Sequence, residues 1–181
     1  VIHTSYSRCA AFYCFIQDIG PYPNGFAVRF PFDLDSGAMR PRLHPIDNQV
    51  YITCHKGWDT TAPLDGVIYR FRHAGENMVG ICDAAVTGSG IRLTFAADLD
   101  PASVKSSAFR ASREDDSKKG PEPPAYKLGK AYLIDSRTIE INVPGIEKES
   151  LANRTDEKGN VSVKPPISLS YKLRSKNGTT F

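Results

Sequence analysis

Residues 39–73 read MRPRLHPIDNQVYITCHKGWDTTAPLDGVIYRFRH, and the reading of this stretch decides the fold. Two runs within it alternate with period two. Val50, Ile52 and Cys54 oppose Tyr51, Thr53 and His55; Val67, Tyr69 and Phe71 oppose Ile68, Arg70 and Arg72. Such alternation marks half-buried strands. Pro45-Ile46-Asp47-Asn48 is a turn signal before the first run, and Asp65-Gly66 is one before the second. A polar loop between the runs carries Trp58, the single tryptophan, and Asp59. Arg40 and Arg42 stand two apart, so on a strand they share a face.

Upstream, residues 10–16 (AAFYCFI) predict a short buried strand. A turn is expected over Gly20-Pro21-Tyr22-Pro23-Asn24-Gly25, with Asn-Gly reversing the chain. Phe26, Val28 and Phe30 then alternate with Ala27 and Arg29, and Asp35-Ser36-Gly37 turns again.

Downstream, the pattern changes near residues 75–78, with wider strand spacing and more charged loops. Ile91, Leu93 and Phe95 form one apolar face. In the segment 98–104, Asp100 is placed to cap a single helical turn that starts at Pro101. Phe109 and Ala111 read as a strand, and 113–124 (REDDSKKGPEPP) as a polar surface loop. Strands are expected over 126–134, over 138–143 with Ile139, Ile141 and Val143 alternating with Thr138, Glu140 and Asn142, and around Leu169, Tyr171 and Leu173. No window shows helical spacing. The expected class is all-β, with one antiparallel region over 1–77 and a second over 78–181. The second has about six or seven strands, a count that suits an immunoglobulin-like sandwich.

Composition narrows the function classes. The 181 residues are 40% hydrophobic and 24% charged, with a net charge of +3. Basic and acidic residues are interspersed, so no nucleic-acid partner is expected. No apolar run is long enough to span a bilayer. The chain opens on strand-like Val1-Ile2-His3-Thr4 without an initiator methionine, as expected of a fragment or processed product. Cys9, Cys14, Cys54 and Cys82 contain no C-x-x-C pair, so no metal site is expected. Core thiols and one or two disulfides both fit them. No phosphate loop, dinucleotide fingerprint or nucleophile elbow occurs. Two glycosylation triplets begin at Asn153 and Asn177.

Arg40-Pro41-Arg42, the 45–48 turn, the strand 50–54 and Gly66-Val67-Ile68-Tyr69-Arg70 together resemble the closing part of β-propeller sugar dehydrogenases that use pyrroloquinoline quinone (PQQ). HTSYSRCAAFYCF (3–15), SGAMRPRLHP (36–45), KGWDTTAPLDGVIYRFRH (56–73) and LTFAADLDPASV (93–104) resemble one subgroup in particular. These are large secreted or membrane-associated dehydrogenase-like proteins of planctomycete-type bacteria, in which an Ig-like domain follows the propeller. The resemblance runs from residue 1 to about residue 175. It implies a partial propeller over 1–77, an Ig-like sandwich over 78–181 and a periplasmic or extracellular location. It also implies that Arg40 and Arg42 hold the quinone carboxylates, since a guanidinium pairs a carboxylate through two parallel bonds. Leu43-His44 departs from the family's Asp or Gly after the basic pair. One blade cannot close a propeller site, so PQQ is expected only in a complete propeller, and the remaining blades or another chain are the expected partners.

His44 and His55 are candidate general bases for taking a proton from a sugar hydroxyl. Trp58 is a candidate platform for a sugar ring, with Asp59 beside it; Tyr13 and Tyr22 are secondary candidates. Three functions follow: a non-catalytic β module closing a propeller and linking it to further domains, a piece of a quinone-dependent sugar oxidoreductase, or a carbohydrate-binding module built on the Trp58 loop.

Overall fold

A computed structural model describes residues 1–19, 22–72, 79–113, 126–146, 154–155, 161–162 and 167–181. Its regular elements are β-strands and two single 3-10 turns, so the chain is all-β as the alternation predicts. It divides into two compact units, Val1–Gln17 with Gly25–Met78 and Asp18–Asn24 with Val79–Phe181. The expected boundary at 77/78, the 114–124 part of the polar loop and Asn153 lie outside the described residues.

The first unit is built on two antiparallel three-stranded sheets. One orders β1 (Ile2–Ser5), β2 (Ala10–Ile19) and β3 (Tyr22–Arg29); the other orders β4 (Gly37–Leu43), β5 (Val50–His55) and β6 (Gly66–Phe71). Their inward faces meet at Cys9, Ala11, Leu34, Ala38, Ile52, Cys54 and Ala62, with Phe30, Val50, Val67, Tyr69 and Phe71 packed around them. Phe30 stacks on Phe71 at a ring distance of 5.6 Å. Tyr69 donates to Asp35 Oδ2 (2.7 Å) and accepts from the Asp35 amide (2.8 Å), fixing the loop before β4.

Two expectations fail here. Asn24-Gly25 makes no turn; both residues lie within β3. A Cβ on Gly25 would sit 2.8 Å from the Phe15 carbonyl oxygen, so the glycine allows the two strands to approach closely. The run 10–16 is a strand, but it is buried only at Ala10 and Ala11, while Tyr13 and Ile16 are exposed.

In the second unit one antiparallel sheet orders β10 (Ala131–Leu133), β11 (Thr138–Asn142), β8 (Gly90–Phe95) and β7 (Ile81–Val86). A second pairs β14 (Ile167–Tyr171) with β9 (Phe109–Arg113), and β12 (Arg154–Thr155) pairs with β13 (Val161–Ser162). Ile91, Leu93, Phe95, Ile139, Ile141, Val143 and Leu173 are buried almost completely. Phe95 meets Tyr171 edge-on at 5.7 Å and Phe181 at 5.6 Å, which joins β8, β14 and the chain end. The turn at Pro101–Ser103 forms as expected, in 3-10 geometry, with Asp100 accepting from the Ala102 amide at 3.0 Å. The strand expected over 126–134 shrinks to Ala131–Leu133.

β11 is buried on both faces, and Glu140, which alternates with the apolar residues, is only 3% exposed. It accepts from Arg92 Nε (3.0 Å), Ser89 Oγ (3.3 Å) and the Thr87 hydroxyl. Burial pushes its pKa up, but the bonds from Thr87, Arg92 and Ser89 and the Arg92 charge outweigh it and hold the carboxyl below its ordinary value. The four cysteines are free thiols. Cys9 and Cys54 are buried and Cys14 is half-buried. Cys82, expected in the core, is exposed and leans on the Thr94 carbonyl.

Candidate functional site

The turn 45–48 forms where expected, with Asn48 in the left-handed region (φ 54°) that its short polar side chain tolerates. Asp47 organises it. Its carboxylate accepts from the Gln49 amide (2.9 Å) and the Tyr51 hydroxyl (2.9 Å), and it lies 3.1 Å from His44 Nδ1. The Gln49 amide bond, then the Tyr51 bond and the His44 contacts, lower the Asp47 pKa against a smaller opposing effect of burial. His44 also stacks obliquely on Tyr51 (5.6 Å). Its Nδ1 is thus engaged inside the hairpin, while the residue is exposed.

Arg40 and Arg42 do share a face. β4 pairs Arg40 with Thr53, Pro41 with Ile52 and Arg42 with Tyr51. Pro41 lacks an amide hydrogen and is tolerated because β4 is the end strand of its sheet. A bulge between Ala38 and Arg40 puts Met39 out of step with the ladder. Both guanidinium groups are on exposed residues of an open sheet face. Among the described residues no wall encloses them, so the pair alone does not fit a quinone.

His55, Trp58 and Asp59 come together. With Tyr6, Ser7, Met39 and Gly57 they line a shallow cleft of about 370 Å³. Trp58 is 88% exposed, and Asp59 is left-handed (φ 58°) at the tip of the loop. The loop is fastened at both sides. Its base closes through Lys56 N to Asp65 O. Its far limb is tied by Thr61 N and Oγ1 to the Ser7 carbonyl (3.3 Å each) and by Thr60 Oγ1 to the Tyr6 carbonyl (3.4 Å). One edge of the Tyr6 ring (Cδ2 and Cε2) lies against Gly37, where a Cβ would come within 2.6 Å of it, and its hydroxyl crowds the Cβ position of Gly57. Both glycines make room for that ring.

Three of the six residues singled out from sequence therefore share one cleft, and Arg40, Arg42 and His44 lie outside its lining. Tyr6, Ser7, Met39 and Gly57 escaped the sequence reading. Tyr6 is brought in by pairing across the unit, which no local pattern announces; the Gly57-Trp58 step was the one local cue. Tyr13 is exposed on β2 away from this lining, its ring against Phe15 at 5.0 Å, and the side chain of Tyr22 lies outside the described residues. His55 has no carboxylate partner to orient it among the described residues. No group of three or more His, Cys, Asp or Glu is placed to hold a metal, and no helix is long and apolar enough to cross a membrane, among the described residues.

No protein-family model, curated protein or solved structure matches the chain.

Proposed function

We propose that this chain is a non-catalytic β module of a secreted dehydrogenase-like protein, in which the first unit contributes part of a propeller and the second is an Ig-like linker to further domains. Its own activity is carbohydrate binding at the Trp58 cleft. The observation that carries this is the exposed indole on a fastened loop. Trp58 offers a flat apolar face, matched to the apolar face of a sugar ring, and the ties at Thr60, Thr61 and Lys56 hold that face ready before a ligand arrives. The antiparallel order β4-β5-β6 supports the blade reading, and the pairing of a four-stranded with a two-stranded sheet through Phe95 and Tyr171 supports the Ig-like one.

A pull-down of the intact chain on insoluble polysaccharides tests the binding. Retention on at least one polymer is expected, with loss on Trp58→Ala and survival on His44→Ala. Retention that is indifferent to Trp58→Ala overturns the proposal. A second reading, a piece of a quinone-dependent sugar oxidoreductase, draws on the shared face of Arg40 and Arg42. It predicts sugar-dependent dye reduction when PQQ is added, abolished by the paired changes Arg40→Ala and Arg42→Ala.

A further inference from the structure

The outer face of β4-β5-β6 carries arginines that pair with no carboxylate among the described residues. The register sets Arg42, Tyr51 and Arg70 side by side across the three strands. The next row is Arg40, Thr53 and Ile68, and His55 follows on the same face of β5, where the Trp58 cleft begins. Arg72 follows β6 and is exposed as well. Elsewhere arginines find carboxylates: Arg29 with Asp33, Arg92 with Glu140, Arg137 with Asp98 and Arg174 with Asp100. Arg40, Arg42, Arg70 and Arg72 have none among the described residues; Arg42 donates only to its neighbour's carbonyl, Pro41 O, at 2.9 Å. The Asp47 carboxylate at the turn end of the face is taken up by Gln49, Tyr51 and His44.

We infer that this face, together with the Trp58 cleft, binds an acidic polysaccharide carrying carboxylate or sulfate groups. The inference rests on the carbohydrate reading above and names the ligand class. Spacing decides between a small anion and a polymer. Successive rows on one face lie about 7 Å apart, so the guanidinium groups are strung along the strands and do not converge on one centre. A linear chain with repeating charges meets row after row, while a single small anion meets one. Tyr51 between two arginines and Trp58 at the end offer ring faces to sugar units, and the guanidinium groups pair the acidic substituents. Nucleic acid is disfavoured because residues 1–77 hold seven basic and seven acidic residues, giving no long-range field beyond this patch.

Isothermal titration of the intact chain with dextran, dextran sulfate, polygalacturonate and a duplex DNA oligonucleotide tests this. Dextran and dextran sulfate share a backbone and differ in charge; polygalacturonate separates carboxylate from sulfate. The expected result is at least about tenfold tighter binding of one or both acidic polymers than of dextran at low salt, declining as salt rises. The triple change Arg40→Gln, Arg42→Gln, Arg70→Gln should erase that preference, and the corresponding Lys triple should keep part of it. Circular dichroism spectra identical to wild type confirm that the exposed changes leave the fold intact. Equal binding of dextran and both acidic polymers, an unaltered preference in the Gln triple, or DNA binding as tight as that of the acidic polymers each overturns the inference. The two proposals separate cleanly. If Trp58→Ala weakens all polymers and no acidic preference exists, the cleft reading stands and this one falls. If the Gln triple weakens acidic polymers and Trp58→Ala changes nothing, the charged face stands and the cleft reading falls.

Discussion

The two units use their apolar residues differently. Among the described residues, the buried core of the first unit is mostly small side chains, Cys9, Ala10, Ala11, Ala38, Cys54 and Ala62, with Leu34 and Ile52 the large members. Its big apolar groups include several at the surface: Trp58, Tyr13, Met39 and Ile68 are all exposed. The second unit instead buries Ile91, Leu93, Phe95, Ile139, Ile141, Val143 and Leu173, and even encloses a carboxylate. Burial of a large aliphatic or aromatic side chain is worth about 1.5–3 kcal/mol. The second unit therefore holds its stability in its interior, and the first leaves large apolar groups in solvent.

The largest effect that sharpens this contrast is expected from Phe95→Ala. Phe95 is fully buried against Tyr171 and Phe181, so its loss should cost about 3–5 kcal/mol in urea denaturation. Arg92→Ala should cost less, about 1–3 kcal/mol, because Glu140 keeps its bonds from Thr87 and Ser89 but loses its one ionic partner. The same site gives a pH dependence. The folded pKa of Glu140 lies below its ordinary 4.5, so its stabilisation is complete above that value and fades as the pH falls through the folded pKa. Urea midpoints measured from pH 7 down to strong acid should drop in that window, and less steeply in Glu140→Gln. In the first unit, Tyr69→Phe removes two bonds to Asp35 and should cost about 0.5–1.5 kcal/mol. Trp58→Ala is the smallest, within about 0.5 kcal/mol of wild type, since the indole is in solvent. A large destabilisation there would mean that Trp58 is a packing residue, and the contrast between the units would fail.

Much of the architecture was legible from period two alone. The hairpin β4-β5, the strand β6, the loop between them and the Asp100 cap all lie where the alternation and turn residues put them. Three features stayed hidden from the sequence because long-range pairing sets them. Asn24-Gly25 reads as a hairpin turn, but both residues lie within a strand and the glycine serves strand approach. Glu140 alternates with apolar residues, and only the folded chain shows Thr87, Ser89 and Arg92 enclosing it from other strands or turns. Arg40 and Arg42 share a face as their spacing says, but sequence could not say that the face opens to solvent beside Arg70. The cleft was half legible. Trp58 and His55 stood out by residue type, whereas Tyr6 arrives through tethers to Thr60 and contacts with Gly37 and Gly57 that only the folded chain reveals.

The emission of the single tryptophan tests the central claim most directly. Titrated with dextran sulfate and polygalacturonate, Trp58 is predicted to give a saturable change in intensity or wavelength with the polymer recovered chemically unaltered. A flat response from the folded chain across these polymers, or oxidation of the sugar without any change in emission, would contradict the account.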